Sequence, residues 1–215
     1  MNTVPVSFEA VDRFSFGLTA LQPLVEMDRR EPLDRFRTAA ATAPSGAPFF
    51  EALLAFLWAV IDPVMLYVGV LEPPGETVRT VVAIRDGKRV ENYPINLADT
   101  PCAAVLGPQA MCIYTDSVAD LFPRTRGLRT MNAEGYVGMP LFARDGTKIG
   151  IVTAVTAHPV ENIDEIRSAL YTFGGRLSLE LERHLKTTAG GDTTEIDAAI
   201  EAAERALASA LGVET

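Results

Sequence analysis

The sequence predicts an α+β fold, an antiparallel sheet with helices on both faces. Three observations carry this. Two Asp-Gly pairs, Asp86-Gly87 and Asp145-Gly146, each sit between two strand-like runs, the strongest short-range hairpin signal. The strand-like runs fall in two groups separated by short helical stretches and bounded by longer helices. Such segregation belongs to α+β folds rather than to parallel α/β ones. Finally, 215 residues suit one full domain with appendages better than two domains.

Taken in order, residues 1–47 read as an N-terminal helical extension and linker. Phe8, Val11, Phe14, Leu18 and Leu21 recur at helical spacing, and Pro23 interrupts them. A second helical piece follows Glu31-Pro32, with Leu33 and Phe36 on its inner side. Residues 39–48, rich in Ala, Pro, Ser and Gly, read as a linker. The domain proper is expected over 48–186. It opens with a helix at 48–60 that is apolar almost all round, hence buried. Six strands follow, at 65–72, 77–85, 88–95, 111–115, 136–143 and 148–157. A short helix at 100–106 has Thr100 as its cap and Pro101 at its first position. Two further short helices or turns are read at 117–122 and 127–133.

The long helix at 162–187 carries Ile163, Ile166, Leu170, Phe173 and Leu177 at alternating spacings of three and four, as in a heptad seam. That seam fits packing within the chain or against a second subunit. Residues 187–215 form a linker and tail helix, with Ile196, Ile200, Ala203, Leu207 and Ala210 along one side.

Charge and composition exclude several roles. Lys and Arg total 19 against 28 Asp and Glu, a net charge of −9, so nucleic acid and anionic membranes are not expected partners. Residues 49–70 are largely apolar, but Asp62-Pro63 interrupts them, which argues against a membrane span. Met1-Asn2-Thr3-Val4-Pro5 does not open a signal peptide. The expected location is the cytoplasm, with Cys102 and Cys112 reduced. Two Cys and two scattered His, His158 and His184, do not make a metal site. No convincing catalytic triad, phosphate loop or carboxylate pair occurs.

Five segments resemble those of the GAF domains of bacterial signalling proteins, in the same order. These are Thr100-Pro101-Cys102-Ala103-Ala104-Val105-Leu106, Val118-Ala119-Asp120-Leu121-Phe122-Pro123, Ala133-Glu134-Gly135-Tyr136-Val137-Gly138-Met139-Pro140-Leu141, Asp145-Gly146-Thr147-Lys148-Ile149-Gly150 and Leu179-Glu180-Leu181-Glu182-Arg183. The resemblance spans about two thirds of the chain. It implies a GAF/PAS-like six-stranded antiparallel sheet, a small-molecule pocket on one face and a helix layer on the other. It also implies a sensory or regulatory role, frequently as a dimer through the terminal helices. The apolar surface of the helices at 48–60 and 162–187 is too large for one sheet face, so a homodimer built mainly on them is expected, the alternative being a monomer in which the N-terminal helices cover them. The module is expected to stand alone, since no kinase, cyclase or DNA-binding region follows.

By resemblance, Tyr114, Phe122, Arg129, Tyr136 and Met139 lie in segments that line or cover the pocket. Cys102, near a helix start, fits either thiolate chemistry favoured by the helix dipole or a small buried core residue. Arg124, Arg126 and Arg129 fit an anion site or a solvated loop. Family members bind cyclic nucleotides, tetrapyrroles, haem or metabolites, and nothing in this sequence requires a cofactor. The Cys-His pair usual in bilin-binding members is missing, because Ala103 follows Cys102. Both histidines look peripheral for haem ligation. The expected function is a non-enzymatic module that binds an unknown small molecule and acts through a dimer or a signalling protein partner. Two alternatives stand beside it: a thiol-dependent reductase using Cys102, and a degenerate domain kept as a dimerisation scaffold.

Overall fold

The computed structural model describes residues 33–107 and 111–213. The apolar stripe from Phe8 to Leu21 lies outside the described residues. Helices α1 (Leu33–Thr42) and α2 (Ala47–Ile61) lead into strands β1 (Met65–Glu72), β2 (Thr77–Arg85), β3 (Lys88–Val90) and β4 (Pro94–Asn96). Next come α3 (Pro101–Leu106), β5 (Cys112–Tyr114), α4 (Val118–Leu121) and α5 (Arg126–Thr130). Strands β6 (Gly135–Phe142) and β7 (Lys148–Thr156) precede the long α6 (Ile163–Thr188) and α7 (Thr194–Leu211).

All strand pairs are antiparallel, in the order β3-β2-β1-β7-β6-β5, with β4 also on β2. Both Asp-Gly hairpins form. The expected third strand is present as two pieces, which makes seven strands rather than six. The pieces keep one register along β2, Ala83 facing Val90 and Arg79 facing Pro94. Between them one backbone bond remains, Thr80 N donating to the Tyr93 carbonyl at 3.1 Å, and side chains supply the rest: Tyr93 N donates to Thr80 Oγ1 at 2.9 Å, and Asn92 Nδ2 donates to the Val81 carbonyl at 3.2 Å. On its other edge β2 is bulged, with Val81 as the extra residue opposite Val68 and Gly69.

The expected linker at 39–48 is shorter than read. Ala39–Thr42 continues α1 because alanine is the best helix former and because Ala40 and Ala41 are buried. The α3 cap is as expected, with Thr100 Oγ1 accepting from Ala103 N at 3.4 Å. In α7 the inner side is Ile196, Ile200, Leu207 and Ala208, while Ala210 is exposed.

The sheet divides two apolar cores. On one face Leu66, Val68, Val82, Val137, Met139 and Val152 meet α2 and α6. On the other, Met65, Tyr67, Val78, Tyr136, Ile151 and Val155 meet the short helices α3 to α5. The all-round apolar α2 finds its cover inside the chain: Phe56 stacks edge-on against Phe173 at 5.5 Å, and Ala40 and Ala41 of α1 share its core.

A buried cation ties this layer together. Arg176 is 2% exposed. Its guanidinium donates to the carbonyls of Ala41 at 3.3 Å and Ala43 at 2.6 Å and to Glu204 of α7 at 2.7 Å, and it lies 4.1 Å over the Phe49 ring. Glu180, one turn along, lies 3.8 Å from it and accepts from Gly46 N at 3.1 Å. Among the described residues no helix is long and apolar enough to cross a membrane.

Candidate functional site

The cavity between the sheet and the short helices holds about 480 Å³. Strand registry builds its floor. Tyr67 of β1 faces Thr153 of β7, and Thr153 faces Gly138 of β6. Side chains alternate along a strand, so these three stand in one row on the same face. Tyr136, two residues before Gly138, shares that face and leans over it. Cys102 comes down from α3 to meet the row. The Tyr67 hydroxyl lies 3.0 Å from Cys102 Sγ, and Tyr136 donates to the same sulfur at 3.4 Å. The Tyr136 and Thr153 hydroxyls are 3.4 Å apart.

All four side chains are at most 5% exposed. Burial holds both phenols well above the usual phenol range, and the neighbouring Cys102 sulfur pushes the same way. They therefore stay protonated and able to donate at any ordinary pH. The walls are apolar: Met65, Ile95, Pro101, Leu128, Met131 and Val155. Polar atoms return at the rim with Asn96, Thr125 and Arg124. The Arg124 side chain is 80% exposed and pairs with Asp99 at 3.0 Å.

Of the residues singled out from sequence, Cys102 and Tyr136 line this cavity. Tyr114 faces Tyr136 across β5 and β6, its ring 6.0 Å away, and Phe122 packs edge-on against Tyr114 at 5.2 Å. These two back the Tyr136 ring. Met139 points to the other face, where its methyl group meets Gly174 of α6. Arg129 is exposed, as are Arg124 and Arg126. Both cysteines are unbridged. Cys112 belongs to the same core as Cys102, and burial pushes its thiol up. His158 sits at the surface, with Nε2 3.1 Å from the Asp62 carbonyl. Among the described residues no cluster of His, Cys, Asp or Glu is placed to hold a metal.

Tyr67 and Thr153 were not singled out from sequence. Their signal is the period-two alternation with Met65 and with Val155, which shows that each shares a face with an apolar neighbour. It does not show which other strand lies opposite.

Solved structures share this arrangement of sheet, short helices and flanking helices. The fold is that of a GAF domain. The GAF domain of a two-component sensor histidine kinase from Bacillus halodurans superposes with a TM-score of 0.50 and 11% identity, over 62% of this chain and 90% of that one. The photosensory core module of the Stigmatella aurantiaca phytochrome gives 0.53 and 12%, over 87% of this chain and 39% of that one. The bacteriophytochrome RpBphP3 from the photosynthetic bacterium R. palustris gives 0.52 and 12%, over 72% and 36%. This chain thus spans well under half of either phytochrome chain. No protein-family model matches the sequence, and no curated protein does.

Proposed function

We propose that this GAF-fold chain is a non-enzymatic sensory or regulatory module that binds a small molecule in the cavity floored by Tyr67, Tyr136, Thr153 and Cys102. The observation that carries the reading is the cavity itself. It has the volume of a small-ligand site, apolar walls and a few polar groups converging at its inner end, the usual make-up of such sites. Of the proteins that share the fold, one is named a sensor histidine kinase and another a photosensory module, which supports the same class of role here.

The module acts through a partner protein or a second copy of itself. Among the described residues α2 is covered, and the helix layer carries an apolar groove of about 390 Å³ between α6 and β6, lined in part by Phe142, Leu170, Tyr171 and Gly175. Tyr171 is 62% exposed. A homodimer on this reading meets through that groove rather than through α2.

Absorbance and native mass spectrometry of the purified full chain test the proposal. A stoichiometric non-covalent cargo, or a thermal upshift with a small molecule that Tyr136→Phe reduces, is the expected result. A chain that carries nothing and shifts with no member of a broad metabolite panel overturns it.

A further inference from the structure

The chemistry of the cavity restricts what it holds. We infer that its ligand is an uncharged, largely apolar small molecule whose buried end carries a carbonyl or similar hydrogen-bond acceptor directed at the Tyr136 hydroxyl. This rests on the reading of the cavity as the ligand site.

Charge comes first. Among the described residues that line the cavity, Arg124 is the one with an ionic side chain, and it stands at the rim, largely solvated and paired with Asp99. An anion at the inner end meets phenols, a thiol and a threonine, with no buried cation to offset its desolvation. An ammonium there meets no carboxylate. Unpaired charge in such a place is strongly disfavoured, so phosphates, carboxylates and zwitterionic amino acids are poor occupants.

Polarity at the inner end comes second. The Tyr136 hydroxyl has two contacts. One is to a sulfur, a weak acceptor, and the other is to Thr153 at 3.4 Å, beyond the usual O–H···O range. Its proton is therefore poorly placed with its protein partners. A ligand oxygen at normal distance gives it a better acceptor without breaking the closer Tyr67–Cys102 contact at 3.0 Å. An occupant with no acceptor leaves that arrangement as it is and gains only apolar contact.

Ligand-observed NMR and calorimetry on the full chain at neutral pH test this with matched probes: acetophenone, benzoate, isopropylbenzene and cyclic AMP. Acetophenone should bind about tenfold or more tighter than benzoate, the difference being the buried charge. Tyr136→Phe should weaken acetophenone about fivefold, the loss of one neutral hydrogen bond, and leave isopropylbenzene unchanged. Tyr67→Phe, checked by circular dichroism, serves if Tyr136→Phe fails to fold, and should affect acetophenone less than twofold, since its own contact is retained by sulfur rather than given to ligand. Benzoate or cyclic AMP binding as tightly as acetophenone, with competition between them, overturns the neutral-ligand inference and leaves the ligand site standing. If no probe binds, the mass of any native cargo decides: a neutral carbonyl compound supports the inference and an anion overturns it. A chain that holds neither probe nor cargo overturns both readings.

Discussion

The Tyr136 hydroxyl occupies the space a side chain at position 138 would need. A Cβ built on Gly138 falls 2.6 Å from Tyr136 Oη and 2.7 Å from a Val105 methyl group. Glycine at 138 is what lets the phenol lie flat across its own strand and reach Thr153 and Cys102.

Gly138→Ala should therefore cost about 1–3 kcal/mol, as over-packing of a filled core does, measured by urea unfolding. Tyr136→Phe removes the nearest of the three clashing atoms, leaving the Val105 methyl group and the Tyr136 ring carbon at 2.8 Å. The double variant should recover part of the loss, whereas strictly additive effects would mean that the two side chains do not compete for this space.

Arg176→Met should cost about 3–5 kcal/mol, because it leaves Glu180 and Glu204 without their buried cation and unties three carbonyl or carboxylate bonds. Amide exchange should rise first in α7, whose Glu204 is held by that guanidinium. Uniform protection in α7 after the change would contradict this role.

The two mid-helix glycines of α6 should respond differently to alanine. A Cβ on Gly175 meets open space, while one on Gly174 meets the Met139 methyl group at 2.5 Å. Gly175→Ala should stabilise by about 0.5–1 kcal/mol through helix propensity. Gly174→Ala must displace Met139 and should gain less or lose outright. Thermal unfolding of dilute protein reads the difference, and equal shifts would show that Met139 yields freely.

Stability should fall as pH is lowered from about 6.5 towards about 4, in part through His184. Burial, then the nearby Arg183 charge, hold its imidazole down to about 4 from 6.5. The unfolded chain therefore takes up this proton first on acidification, and the stability it gives is present above 6.5 and lost as pH falls through the folded value. Glu180 works in the opposite direction, since burial raises its carboxyl. The informative quantity is thus the difference between wild type and His184→Gln, which should shrink on acidification. A difference that stays constant over this range would remove His184 from the account.

Light scattering at micromolar concentration should give twice the chain mass, and Tyr171→Glu should halve it without loss of helix signal, placing a charge in an apolar contact. A monomer in wild type would leave the α6–β6 groove for a different protein.

The hairpins, the helix seams and the α3 cap could be read in the sequence because each depends on residues close together in the chain. The split third strand could not. It depends on Thr80, twelve residues from Asn92, adding side-chain bonds where the ladder is interrupted. Of the residues singled out for the candidate site, Cys102 and Tyr136 line the cavity. Met139, three places from Tyr136 on one strand, must face the other way by the alternation of side chains. Tyr67 and Thr153 join the floor through pairing between strands far apart in sequence, which no local pattern specifies.

Strand β6 has no thickness beyond its own backbone. Tyr136 looks into the cavity from the face it shares with Gly138, while Val137 and Met139 belong to the core on the α6 side. One strip of main chain is thus at once the floor of a chamber and the seat of a helix. A ligand that displaced the phenol on one side would meet, one backbone away, the Met139–Gly174 contact on the other.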